Sequence, residues 1–123
     1  MAKNAKQFEE RPWGTFEVLY EFKQSDGSDV VIKKIIVHPQ KRLSYQSHNL
    51  RKEHWLVIEG EGAVILDGKE INIGPESKVE VNFGVKHRII NKHQEKTLVI
   101  IEVSLGKFDE FDNYRYEDDF GRA

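Results

Sequence analysis

Between Trp13 and Leu105 the chain is a succession of short runs rich in Val, Ile, Phe and Tyr, each closed by turn residues. In several runs apolar and polar positions alternate, which is the period of a strand with one face buried. Val79 and Val81 point one way, for example, while Lys78 and Glu80 point the other. The pattern predicts strands at WGTFEVLYEF, DVVIKKIIV, RLSYQSH, HWLVIEG, AVILDG, KEINIG, SKVEVN, HRIIN and TLVIIEVSL. Turn signals stand between them at Asp26-Gly27, Glu61-Gly62, Asp67-Gly68, Gly74-Pro75 and Asn82-Phe83-Gly84. Asp67-Gly68 is the sharpest, because both residue types tolerate the positive φ of a two-residue hairpin. Strands at intervals of about 8–12 residues with no helix between them predict an all-β protein, an antiparallel sandwich or barrel.

The pattern fades at both ends. Residues 1–10 are polar and charged and are expected to form a flexible arm. Residues 11–106 form the predicted barrel. Residues 107–123 are acidic and aromatic, and are expected to strap onto it through Phe108, Phe111, Tyr114, Tyr116 and Phe120. One domain accommodates all 123 residues, since single domains cluster near ~100–150.

Composition narrows the function classes. Hydrophobic residues make up 38%, and two Trp, four Tyr and seven Phe supply core volume. Nineteen Lys and Arg against 21 Asp and Glu leave a net charge of −2, so nothing draws the chain as a whole to nucleic acid. The longest apolar runs, 55–58, 63–66 and 98–101, fall far short of the ~20 residues of a transmembrane helix. The start MAKNAKQFEE lacks the apolar core of a secretion signal, and a cytoplasmic location is expected. Cysteine is absent, which excludes disulfides and thiolate metal sites. Any metal must be held by nitrogen and oxygen.

The stretch from Arg42 to Gly60, RLSYQSHNLRKEHWLVIEG, is the richest in such donors. If 43–48 is a strand, Gln46 and His48 share a face about 7 Å apart. Glu53 opens the next strand, and His87 opens another just after the Gly84 turn. Gln46, His48, Glu53 and His87 together would offer an oxygen and nitrogen set with positions open for water or substrate, suited to Zn²⁺, Mn²⁺, Co²⁺, Ni²⁺ or Fe²⁺. The same residue types also arise by chance, and a His at a strand start is often an ordinary hydrogen-bonded residue. His54 alternates away from Glu53 and is read as structural, while His38 and His93 fall near loops. Trp55 shares the parity of Glu53 and is expected to pack in the lumen.

These residues resemble the two-part signature of the cupin barrel. Its first part runs from Gln40 through Gln46, His48 and Glu53 to Gly60, and its second is Asn82-Phe83-Gly84 with His87 and Asn91. More closely, the chain resembles the type II mannose-6-phosphate isomerase domain, the cupin domain at the C-terminus of bifunctional mannose-1-phosphate guanylyltransferase/mannose-6-phosphate isomerases. The resemblance rests on Arg11-Pro12-Trp13-Gly14, Arg42-Leu43-Ser44-Tyr45-Gln46, Arg51-x-Glu53-His54-Trp55, Gly84-x-x-His87-Arg88-x-x-Asn91, 102–106 and Asp119-Phe120-Gly121-Arg122, and covers residues 11–122. Gln40 and Asn82 depart from a glycine and a proline of the cupin pattern, both at turns. No nucleotidyltransferase signature occurs, so nucleotide-sugar synthesis is not expected from this sequence alone.

The resemblance implies a single antiparallel β-barrel or jelly roll, one divalent metal held by Gln46, His48, Glu53 and His87, and interconversion of mannose 6-phosphate and fructose 6-phosphate through an enediol(ate). It marks Arg51 as catalytic and Lys33 and Arg88 as substrate-binding, although strand alternation turns Arg88 away from the lumen. The proton-shuttling base stays open between a metal-bound water, a lysine and a tail carboxylate such as Glu110. The alternatives are a noncatalytic sugar- or metabolite-binding cupin and a cupin enzyme acting on another sugar phosphate, since the fold hosts many chemistries. The expected partner is a small sugar phosphate, with neither nucleic acid nor membrane. A homodimer is expected too, because Leu43 and Tyr45 are read as facing outward from their strand and needing cover.

Overall fold

The computed structural model describes residues 7–109 and 111–122, and these form eleven strands: β1 (Gln7–Arg11), β2 (Gly14–Lys23), β3 (Asp29–Val37), β4 (Tyr45–Ser47), β5 (Arg51–Glu59), β6 (Gly62–Leu66), β7 (Lys69–Ile73), β8 (Lys78–Val81), β9 (His87–Ile90), β10 (Leu98–Gly106) and β11 (Tyr114–Glu117). Every pairing is antiparallel. A six-stranded sheet runs β1-β2-β3-β10-β5-β8, and a five-stranded sheet runs β11-β4-β9-β6-β7. Their inner faces meet over one core, the jelly-roll arrangement expected from the strand and turn spacing. Among the described residues no helix is long and apolar enough to cross a membrane.

The local chemistry explains the turns. Asp67 and Gly68 take φ of 46° and 83°, the double positive φ that a tight hairpin between β6 and β7 needs. Gln40, where the cupin pattern has glycine, holds φ 61°. The left-handed turn is therefore kept without glycine, at a cost of about 1–2 kcal/mol for an L side chain. Gly106 ends β10 against the start of β5. A Cβ there would stand 2.4 Å from the Leu50 carbonyl oxygen, so only glycine lets the two strands close at this point.

The inward rows of the larger sheet change character along its length. One row is Ile35, Ile100 and Val57, all buried and apolar. The next is Lys33, Glu102 and Trp55, and the one after contains Ser104 and Glu53. The apolar end joins Val64, Ile89 and Leu98 in the core. The polar end lines a cavity of about 480 Å³, within the usual size of a ligand site.

Three expectations change at the edges. Residues 7–10, expected in the arm, belong to β1, which pairs with β2. Every β1 residue is exposed, so no burial pattern betrays the strand, and residues 1–6 lie outside the described chain. Leu43 packs against the core, and Tyr45 carries the ring of Tyr116 and accepts a hydrogen bond from the Gly68 amide. Neither presents the outward face from which a dimer was expected. The tail adds β11 to the edge of the smaller sheet through β4. Phe120 packs against the core, but Phe111 is 83% exposed and anchors nothing.

Candidate metal centre

Strand register brings the donors together. Gln46 pairs with His87 across β4 and β9, and both line the cavity. His48 follows β4, and Glu53 enters from β5 in the opposite sheet. The turn before His87 is tied to His48, because the Gly84 amide donates to the His48 carbonyl. One ligand atom each from His48, Glu53 and His87 lies within 4.8 Å of the others, and all three residues are buried. Glu53 Oε2 is 3.4 Å from His48 Nε2, and Glu53 Oε1 is 3.7 Å from His87 Nε2.

Both rings are oriented by backbone. His48 Nδ1 sits 3.0 Å from the Asp112 carbonyl and His87 Nδ1 2.9 Å from the Val85 carbonyl. A carbonyl can only accept, so each Nδ1 carries its hydrogen and each Nε2 keeps a lone pair facing Glu53. Burial pushes the His48 imidazole down to about 3, helped by the positive charge of Arg51, and burial likewise lowers His87. His48 is thus neutral well below the pH at which a free imidazole protonates, and burial favours the neutral form of His87 too, the form that ligates metal.

Arg51 is buried beside them. Its Nε donates to Glu53 Oε2 at 3.2 Å, and its Nη2 donates to His48 Nε2 at 3.1 Å. Phe108 from the strap lies 4.3 Å below this guanidinium, and the same ring is 4.6 Å from Lys33 Nζ. Lys33 also lies over Phe16 and lines the cavity. Arg88 also borders the cavity, with its guanidinium held by backbone carbonyls. Its Nε donates to the Leu43 carbonyl and its Nη2 to the Glu117 carbonyl, so it ties the strap to the barrel. Trp55 packs in the lumen as expected, and its indole N–H reaches Glu53 and Glu102 at 3.2 Å each.

Two participants escape a reading of the sequence. Glu102 is buried in the lumen, and desolvation followed by the nearby charge of Glu53 pushes its carboxyl up to about 7. Its signal is a lone acid at an inward position of the most apolar strand. Asp112, also buried, accepts hydrogen bonds from the Asn49 and Leu50 amides through both carboxylate oxygens. Nothing local marks it, because its partners lie more than sixty residues earlier. Glu110, a candidate base, falls outside the described residues.

An all-antiparallel jelly roll with two histidines and a glutamate converging inside it defines a cupin. The solved structures that resemble it agree on the fold. Capsular polysaccharide assembling protein CapF from Staphylococcus aureus superposes with a TM-score of 0.78 over 92% of this chain and 34% of its own, at 18% identity. Pac13, a nucleoside dehydratase, superposes with a TM-score of 0.71 over 92% of this chain and 86% of its own, at 14% identity. The model of the mannose-6-phosphate isomerase C-terminal family matches residues 2–119, and the chain belongs to that family. Relatives include mannose-1-phosphate guanylyltransferase ManC of Salmonella typhimurium, 33% identical over 114 residues, and alginate biosynthesis protein AlgA of Pseudomonas aeruginosa, 34% identical over 114 residues. Each match covers 92% of this chain but only 22% of the relative, so the chain spans about a fifth of those proteins' length.

Proposed function

We propose that the chain is a metal-dependent sugar-phosphate isomerase that interconverts mannose 6-phosphate and fructose 6-phosphate through an enediol(ate). The observation that carries this reading is the meeting of two neutral imidazoles and one carboxylate in a cavity whose wall also presents Lys33 and Arg51. Family membership supports the substrate.

The donor set fits a divalent ion. Both Nε2 lone pairs and the Glu53 carboxylate point at one another, and Gln46 adds an amide on the same wall. Zinc, manganese, cobalt, nickel or ferrous ion would suit such ligands. When bound, the ion supplies Lewis-acid stabilisation where negative charge develops on the sugar oxygen. Gln46, His48, Glu53 and His87 would hold it.

Other residues serve the substrate. Lys33 and Arg51 grip the phosphate and steady the developing charge, Arg51 through its planar fork. The proton that moves between C1 and C2 is held at the Glu102 carboxyl, which pairs with Lys33 across β10 and β3 inside the lumen. Arg88 is assigned to holding the strap.

The test is a coupled assay for fructose 6-phosphate formed from mannose 6-phosphate, run with each candidate metal and again after chelation. Turnover that disappears on chelation and returns with metal supports the reading. Metal bound at one per chain with no turnover of any hexose 6-phosphate would leave a binding module instead.

A further inference from the structure

We propose that Asn113 is a specificity-determining contact for the sugar, its Oδ1 accepting a hydrogen bond from the hydroxyl at C3 or C4, a role that rests on the sugar-phosphate reading of the cavity. Asn113 Oδ1 is buried, and among the described residues nothing donates a hydrogen bond to it. No other buried side-chain oxygen or nitrogen among them lacks a partner. Asn113 also lines the cavity that holds His48, Glu53 and His87. Folded proteins keep few orphaned buried acceptors, because each one costs stability.

The strap aims this side chain inward. Arg115 pairs with Gln46 across β11 and β4, and both line the cavity. Tyr114 pairs with Ser47 in the next step. One step further along the same ladder places Asn113 beside His48, on the inward parity of Arg115 and Gln46. Asp112 fixes the chain just before it, its carboxylate accepting from the Asn49 and Leu50 amides and its carbonyl meeting His48 Nδ1. Asn113 is therefore positioned from both sides without help from a ligand. No local need explains an amide here. The φ of Asn113 is not positive, so the left-handed backbone that favours Asn is not its reason, and its Oδ1 caps no amide.

The chemistry of the atom selects its partner. An amide oxygen carries lone pairs and no hydrogen, so an ionised phosphate, which also only accepts, cannot pair with it. A sugar hydroxyl can donate to it. A ligand that fills the cavity of about 480 Å³ excludes water from this oxygen and must bring its own donor, or it strands the acceptor. In a hexose 6-phosphate the oxygens at C1 and C2 take part in the reaction and C6 carries the phosphate. The hydroxyls at C3 and C4 lie between, and Asn113, next to His48 on the ladder, is placed to meet one of them. A site built around a hydroxyl rejects an analogue lacking it far more strongly than an apolar pocket rejects an added one.

Calorimetric titration of metal-loaded protein with mannose 6-phosphate and with its 3-deoxy and 4-deoxy analogues tests this. Wild type should bind one of the two deoxy sugars at least ~10-fold more weakly than mannose 6-phosphate. Asn113→Leu, close in volume but without the acceptor, should bind mannose 6-phosphate ~10-fold more weakly and no longer discriminate against that analogue. Its thermal midpoint without sugar should not fall, because an unpartnered acceptor contributes nothing to the fold. Asn113→Ser gives the same comparison if the Leu variant does not fold. Wild type that binds all three sugars alike, discrimination that survives in Asn113→Leu, or a lowered midpoint with sugar binding unchanged would overturn the proposal. A turnover assay separates it from the isomerase reading. Discrimination through Asn113 without turnover upholds the contact and removes the isomerase, whereas turnover indifferent to Asn113→Leu does the reverse. Wild type that binds no mannose 6-phosphate overturns both.

Discussion

Nη2 of Arg51 lies 3.1 Å from Nε2 of His48, the one nitrogen of that ring without a backbone partner. A single lone pair cannot serve a guanidinium and a metal ion together. Two cations at that atom would also repel each other. Arg51 and a metal therefore compete for His48 and for Glu53 Oε2.

Arg51→Ala should accordingly tighten metal binding rather than weaken it, as isothermal titration would show. The same variant should slow isomerisation by ~10²-fold or more, the usual loss when one preorganised charge donor is removed. Arg51→Lys should recover only part of the rate, because an ammonium lacks the planar fork. Metal affinity that falls in Arg51→Ala, or activity that survives within a few-fold, would refute this role.

Asp112 holds the 48–51 turn through the Asn49 and Leu50 amides, while its own carbonyl orients His48. Asp112→Ala leaves the Asn49 and Leu50 amides without their acceptors and loosens the ligand-bearing turn, while the backbone carbonyl at 112 stays. Metal affinity should drop by about 10–100-fold, the range for groups that orient a ligand, and Asp112→Asn should recover part of it. Unchanged affinity in a folded Asp112→Ala protein would separate the strap from the site.

The end of the strap is pinned by carboxylates. Asp119 accepts a bidentate pair from Arg42, and Asp118 accepts from Arg122. These hydrogen bonds hold both carboxyls below the ordinary Asp value. A carboxylate depressed on folding contributes stability above its unfolded pKa, about 4, and loses it as pH falls through the lower folded value. Hydrogen-exchange protection of 114–122 should thus persist from pH 7 to about 4 and fade below. Loss of protection between pH 7 and 5 would contradict this pinning.

Gln40 carries a positive φ of 61° that glycine adopts without strain. Gln40→Gly removes a cost of about 1–2 kcal/mol but loosens the unfolded chain by roughly 0.5–1 kcal/mol. Urea unfolding should show a gain of up to ~1 kcal/mol, and a clear loss would mean that the Gln40 side chain has a role of its own.

How far the site is legible in the sequence depends on range. Strand parity places Gln46, Glu53 and Trp55 on the cavity wall, because side-chain direction follows from alternation alone. The same rule sends Arg88 away from His87, and its guanidinium does meet the strap. Parity fails where register shifts, and the bulge at Leu19 reverses Tyr20 and Phe22. It fails again for Leu43, which precedes β4 outside regular strand. Asp112 acts through contacts with a distant turn that no local pattern encodes, and the aromatic tail announces Phe108 as an anchor but not its place under Arg51 and Lys33. The competition of Arg51 with a metal appears only once three side chains are seen around one nitrogen.

The most direct test of the central claim follows mannose 6-phosphate by proton NMR in D₂O with metal-loaded wild type and with the His48→Ala/His87→Ala double variant. The account predicts fructose 6-phosphate and deuterium at the carbon that exchanges through the enediol(ate). It also predicts that the double variant stays folded, binds no metal and leaves the sugar unchanged. Metal at one per chain in the double variant, or loaded wild type that converts no hexose 6-phosphate, would contradict it.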